Sequence, residues 1–210
     1  MTDFMKLLRA NPYPGRGIAM GSGWAYYFIM GRSANSRNRV FERTADGIRT
    51  RAFDEGKMTD PSLIIYHPVR RGPFGLIVAN GDQSDTIRDM GSFHDALMTR
   101  EYEPDAPHWT PRISALLRDN GSFELSILKR QDGSGRCLRE FFSYPGSGGD
   151  EGFFISTYRS DGDPLPPFGG EPIAVTRPEP EAVWEALDPE NKVALYAFVR
   201  GEERIFNRYG

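Results

Sequence analysis

Apolar residues along this chain fall in short runs separated by Gly, Asn, Asp and Pro turns, a spacing that predicts strands more often than helices. Residues 17–21 and 24–30 read as two strands around a turn at Ser22-Gly23. The second, WAYYFIM, has no charged position, as expected of a strand covered on both faces. Residues 39–44 and 48–53 flank Ala45-Asp46-Gly47, and residues 112–117 and 122–129 flank Asp119-Asn120-Gly121. Asp-Gly and Asn-Gly between two such runs predict hairpins. Residues 62–67, 75–79, 136–142 and 152–158 complete the predicted strands. Helical spacing is rarer. Residues 3–10 read as a short helix stopped by Asn11-Pro12. Asp82 or Ser84 is placed to cap a helix running to about Arg100, with Ile87, Met90, Phe93, Leu97 and Met98 on one face. Residues 179–187 and 189–199 read as helices with acidic starts. Strands dominate and helices come in separate blocks, which predicts an α+β fold with helices packed on antiparallel sheets, not βαβ units.

At 210 residues the chain can bury one well-formed core. A single domain over residues 1–210 is expected, with a helical extension over about 161–210. The formal charge of -3 argues against broad binding to nucleic acid or membrane surfaces, which a basic excess would drive. The positive charge is uneven: Arg32, Arg37, Arg39 and Arg43 are close together, with Arg49 and Arg51 behind them. Local basicity in an acidic chain suits a small anion. Cys137 is the only cysteine, which leaves no intramolecular disulfide and fits a reducing cytoplasm. His67, His94 and His108 show no metal-ligand pairing, so no metal site is read. The N-terminus lacks the layout of a signal peptide, and no apolar stretch approaches the ~20 residues of a membrane span.

Five polar segments lie at the ends of apolar runs: NPYPGRG (11–17), GRSANSRNR (31–39), LIIYHPVR (63–70), VANGDQSD (78–85) and YEPDAPHWTPRI (102–113). Each carries Arg, Asn, Tyr or an acid where a plain loop would need only Gly, Ser or Asp. Polar groups at several strand ends are how one pocket is assembled from distant sequence. The inventory suits an anionic, nitrogen-rich small molecule.

Gly31-Arg32-Ser33 with Asn38-Arg39, then Tyr66, Asn80-Gly81, Tyr102-Glu103 and Thr110-Pro111-Arg112-Ile113 resemble, in order and spacing, the archaeal-type IMP cyclohydrolase family. The resemblance covers roughly residues 15–160. NPYPGRGI and VANGDQSD are similar to its longer, bacterial members. The last 50 or so residues carry no assignable motif. The resemblance implies a four-layer αββα sandwich of the N-terminal-nucleophile hydrolase type, without a processed N-terminal nucleophile. It implies ring closure of 5-formamidoimidazole-4-carboxamide ribonucleotide to IMP in purine biosynthesis, with no cofactor or metal, in a homo-oligomer.

On that resemblance the catalytic candidates are Arg32, Tyr66 and Glu103. Glu103 would be general base or proton shuttle, Arg32 an oxyanion or phosphate contact, and Tyr66 a donor to the formyl oxygen. Arg16, Ser33, Arg37, Arg39, Asn80, Gly81, Asp82, Tyr102 and Arg112 would bind substrate. The residues themselves also allow plainer roles. Glu103 could be a helix-end carboxylate paired with Arg112, Arg32 a surface ion pair, Tyr66 a core-edge tyrosine and Asn80 a turn residue. Asp82 and Asp85 put negative charge at the start of a helix, which disfavours phosphate there. Two rival functions remain: a non-catalytic purine-nucleotide-binding protein on the same scaffold, and an amide hydrolase using Thr2 after loss of Met1.

Overall fold

The computed structural model describes residues 2–59, 61 and 64–210. Helix α1 (Phe4–Ala10) is capped by Asp3, which accepts from the Lys6 amide at 3.1 Å, and it buries Phe4 and Leu8, one turn apart. Strands β1 (Arg16–Gly21) and β2 (Trp24–Met30) form a hairpin with Gly21 opposite Trp24. Every residue of β2 is buried, which accounts for its unbroken apolar run. A single turn of helix, α2 (Ala34–Arg37), precedes the hairpin β3 (Arg39–Thr44) and β4 (Gly47–Ala52). Next come β5 (Val69–Gly72), β6 (Gly75–Ala79), α3 (Gln83–Met90) and α4 (Phe93–Met98). Strands β7 (Arg112–Leu117), β8 (Phe123–Arg130), β9 (Cys137–Tyr144), β10 (Glu151–Ser156) and β11 (Ile173–Thr176) follow. Helix α5 (Pro180–Ala186) and strands β12 (Lys192–Val199) and β13 (Glu202–Asn207) end the chain.

The strands build two antiparallel sheets, ordered β11-β10-β1-β2-β12-β13 and β3-β4-β5-β6-β7-β8-β9. One apolar cluster lies between them, where Ile18, Tyr27 and Tyr196 meet Val78, Ile113 and Ile127. A second joins Phe28 and Leu195 of the six-stranded sheet to Phe4 and Leu8 of α1 and Val183 of α5. A third joins Ile77, Leu116 and Leu128 of the seven-stranded sheet to Ile87, Phe93 and Leu97 of α3 and α4. Alternate residues of the central strands, such as β2, β7 and β12, therefore serve different clusters, as the two-residue period of a strand requires. No helix among the described residues is long and apolar enough to cross a membrane.

Several sequence expectations are corrected. The helix predicted at 189–199 is strand β12, and the predicted helical extension over 161–210 contains β11, β12 and β13 with only α5 as helix. The Pro-acid start at 189–190 imitates a helix N-terminus. What decides the matter is that Ala194 and Tyr196 face the inter-sheet cluster while Leu195 and Ala197 face the outer one. The helix predicted from Asp82 to about Arg100 is two helices. Gly91 sits at φ 67°, a left-handed cap that ends α3, and Ser92 then caps α4. The strand predicted at 62–67 begins outside the described residues. Its described part, 64–67, is turn and bend over 64–66 and irregular at 67, and the neighbouring strand is β5.

The registers gather particular strand ends. Arg16 at the start of β1 lies opposite Ile29 near the end of β2, and Gly17 lies opposite Ser156 at the end of β10. In the other sheet, Ala79 at the end of β6 pairs with Ser114 near the start of β7. The segments leaving these ends form the walls of one cavity.

Candidate active site

The cavity has a volume of about 320 Å³. Tyr13 and Arg16 come from the entry to β1, and Arg32, Ser33 and Ser36 from the turn after β2. Asn80 comes from the end of β6, while Glu103, Asp105, His108 and Thr110 belong to the loop before β7. Tyr158 and Leu165 come from the segment after β10. Four of the five polar segments marked in the sequence contribute to this lining.

Glu103 is buried, and its amide donates to the Thr110 carbonyl at 2.9 Å, which fixes it at the cavity wall. Its carboxylate faces Arg112 Nη1 at 3.5 Å, longer than a hydrogen bond. The same nitrogen donates to Asp82 at 2.7 Å and to Gln83 at 2.6 Å, so Arg112 compensates Glu103 only in part. Burial pushes the Glu103 carboxyl above the usual carboxylate range, against the pull of Arg112 and Arg16. Gly81 makes this arrangement possible. A Cβ there would stand 2.4 Å from Arg112 Nη1 and 2.9 Å from Glu103 Oε1.

Arg16 is half-buried, and its Nε has no partner among the described residues. Arg39 is fully buried; its Nε donates to the Ser36 carbonyl at 2.9 Å, and both Nη atoms lack partners among the described residues. Burial, with Arg16 nearby, pulls the Arg39 guanidinium down to about 10. Two mutually repelling cations with unpaired nitrogens are costly inside a protein, and an anion accepting from them would relieve that cost. Tyr66 is buried with its hydroxyl 2.8 Å from that of Tyr27, and it does not line the cavity. Thr50 holds the Tyr66 backbone from both sides, donating its amide to the Tyr66 carbonyl at 2.8 Å and accepting the Tyr66 amide at 2.9 Å.

The remaining sequence candidates fall in two groups. Arg32 and Ser33 line the rim. Arg32 pairs with Asp161 at 2.6 Å and lies 4.6 Å over the Tyr13 ring. Ser33 caps α2. Asn80 lines the cavity while spending its amide on the β6–β7 junction: it accepts from the Ile113 amide at 2.9 Å and donates to the Pro111 carbonyl at 2.9 Å. The others lie outside the lining. Arg37 bridges Gly31 and Asn191, Tyr102 donates to the Gly135 carbonyl, and Asp82 binds Arg100 and Arg112. His67 bonds Arg70 at 3.0 Å, away from the cavity. Thr2 pairs with Val175 of edge strand β11 and is absent from the lining of this cavity.

Sequence reasoning gave no role to Tyr13, Ser36, Asp105, His108, Thr110, Tyr158 or Leu165. Most of them sit inside segments already marked as polar, so the segment was legible and the individual side chain was not. Tyr158 and Leu165 lie outside every marked segment, and nothing local distinguishes them. The loop carrying Asp105 and Thr110 also holds Trp109 at φ 46°, a backbone conformation a bulky residue rarely adopts.

Residues 13–204 match the model of a protein family described as IMP cyclohydrolase-like protein. The match runs on through the C-terminal strands that carried no recognisable motif. No curated protein matches the chain.

Proposed function

The chain belongs to the IMP cyclohydrolase-like protein family, and from that premise we propose that its cavity closes 5-formamidoimidazole-4-carboxamide ribonucleotide to IMP with loss of water. We place its layers, helices outside two packed sheets, in the four-layer αββα arrangement of N-terminal-nucleophile hydrolases. The observation that carries the functional reading is the meeting of opposites in one cavity. Arg16, with Arg39 behind it, offers unpaired guanidinium nitrogens, and a buried carboxyl, Glu103, stands with its proton affinity raised.

Both reacting groups sit on one imidazole ring, so the cavity has only to hold the formyl group in the reactive rotamer, a proximity effect. Arg16 and Arg39 balance the negative charge of the nucleotide. Arg32, on the rim, exchanges Asp161 for the ligand, and Ser33 and Asn80 contact it. The carboxamide nitrogen attacks the formyl carbon and loses one proton as the formyl oxygen gains one to become a hydroxyl; the formamido nitrogen then loses its proton, forming the ring C=N bond, as the hydroxyl gains a second proton and leaves as water. Glu103 exchanges protons with these groups. Its raised affinity keeps the neutral acid available nearer to neutral pH than in an ordinary carboxylate. Tyr66 supports the wall behind Arg16 through Tyr27. Neither a metal nor a cofactor is required by this chemistry.

The test is an ultraviolet assay of the purified protein with the formylated ribonucleotide. Appearance of IMP is expected. Binding of IMP without turnover would point instead to a purine-nucleotide-binding protein.

A further inference from the structure

Asp105, Thr110 and Tyr158 stand together on the cavity wall. The Thr110 amide donates to Asp105 Oδ1 at 2.7 Å. The Thr110 hydroxyl oxygen lies 2.5 Å from Asp105 Oδ2 and 2.8 Å from the Tyr158 hydroxyl oxygen. Thr110 and Tyr158 are both buried, so these bonds are sheltered from bulk water. The proton positions follow from donor counting. An ionised carboxylate only accepts, so the single Thr110 hydroxyl proton goes to Asp105. The Thr110 oxygen must then accept the Tyr158 proton. That leaves the Tyr158 oxygen with its lone pairs free, as an acceptor at the cavity wall. Burial also pushes the Tyr158 phenol up, so it holds its proton at neutral pH.

We propose that Tyr158, Thr110 and Asp105 form a proton wire that removes the carboxamide proton during ring closure. The inference rests on the cyclohydrolase reading given above. As the carbon–nitrogen bond forms, the nitrogen gives its proton to Tyr158 Oη. Tyr158 passes its own proton to Thr110 Oγ1, and Thr110 passes its own to Asp105 Oδ2. The balance is one proton moved from substrate nitrogen to Asp105, which becomes a carboxylic acid, with no oxidant or co-reactant. Tyr158 is the group that meets the substrate; Thr110 and Asp105 act through it. Glu103, whose burial favours the neutral acid, is then left to protonate the formyl oxygen to a hydroxyl, take the formamido N–H proton as the ring C=N bond forms, and pass it to that hydroxyl as it departs as water; both carboxyl groups then regain their starting states by proton exchange with solvent. Base and acid work thereby fall to two different carboxyl groups.

The plainer role for the trio is to pin the loop before β7. The test must separate the two. Thr110→Val keeps the side chain's shape and removes the hydroxyl, and Thr110→Ser keeps the hydroxyl. On the full chain, Thr110→Val is expected to lower kcat by about 100-fold, the scale of one lost proton-transfer group, with KM little changed. Thr110→Ser is expected to stay close to wild type. Tyr158→Phe cuts the wire at its other link, and the double variant is expected to lose no more than either single one, because the groups act as a unit. The solvent deuterium effect on kcat is expected to be larger in wild type than in Thr110→Val. Wild-type kcat in Thr110→Val, equal failure of Thr110→Val and Thr110→Ser, or a change confined to KM would each overturn the wire. Should Thr110→Val not fold, Tyr158→Phe with unchanged kcat would do so. These results leave the wild type active. An inactive wild type overturns the cyclohydrolase reading itself, and the wire with it.

Discussion

Glu103 couples the site to the stability of the whole chain. Its folded-state proton affinity is raised by burial, with Arg112 and Arg16 opposing. Between the ordinary glutamic acid range and that raised value, the folded chain holds a proton that the unfolded chain has lost. The contribution of Glu103 to stability is therefore fullest below about pH 4 and is lost as pH rises through the folded-state value. Glu103→Gln removes this dependence. Its thermal midpoint is expected to exceed that of wild type at pH 8 and to converge with it at the acid end, as read by paired melting curves. A variant less stable than wild type at pH 8 would mean that the carboxylate is held by its partners rather than merely buried. At this scale the sequence was half legible. Arg32 does form an ion pair with Asp161, and Glu103 does face Arg112, so the plain roles open to each residue are present in the structure. Both side chains nevertheless line the cavity. Nothing in local sequence separates a structural ion pair from one at a cavity wall, because the difference lies in what stands on the other side.

Among the elements, hairpins were the most legible. Asp-Gly and Asn-Gly turns fix strand pairing within a few residues, and β3–β4 and β7–β8 stand where they were read. The C-terminal strands were not legible. In β12, Val193 to Ala197 are all buried, so the polar-apolar alternation that identifies a half-exposed strand is missing. Only its place between β2 and β13 settles its conformation. That place predicts a cost. Leu195 packs in the outer cluster with Phe28 and the helices, and Leu195→Ala should destabilise the chain by about 2–5 kcal/mol in urea unfolding. A loss below about 0.5 kcal/mol, the scale of a surface substitution, would contradict a central β12.

Over the whole molecule, the arginine cluster divides between the cavity and the surface. Arg32 lines the cavity and Arg39 lies outside the lining, bonded to the Ser36 carbonyl, whereas Arg43 and Arg49 pair with Glu203 and Glu42 elsewhere. Strand register, which brings Arg16, Asn80 and Tyr158 to one end of the two sheets, carries the rest of the information and is not written in any local segment. A ligand seated there would tie both sheets together. Saturating IMP, at 100 times its Kd, is expected to raise unfolding free energy by about 2.7 kcal/mol, visible as a higher melting temperature. No shift at any concentration of IMP would remove the cavity as a nucleotide site.

The ring-closure assay run on wild type and Glu103→Gln side by side, at substrate saturation, tests both the reaction and the role of Glu103. Wild type is expected to form IMP, and the variant to show a kcat lower by about 100-fold or more. Equal turnover by the two proteins would contradict the role of Glu103, and no turnover by either would contradict the reaction.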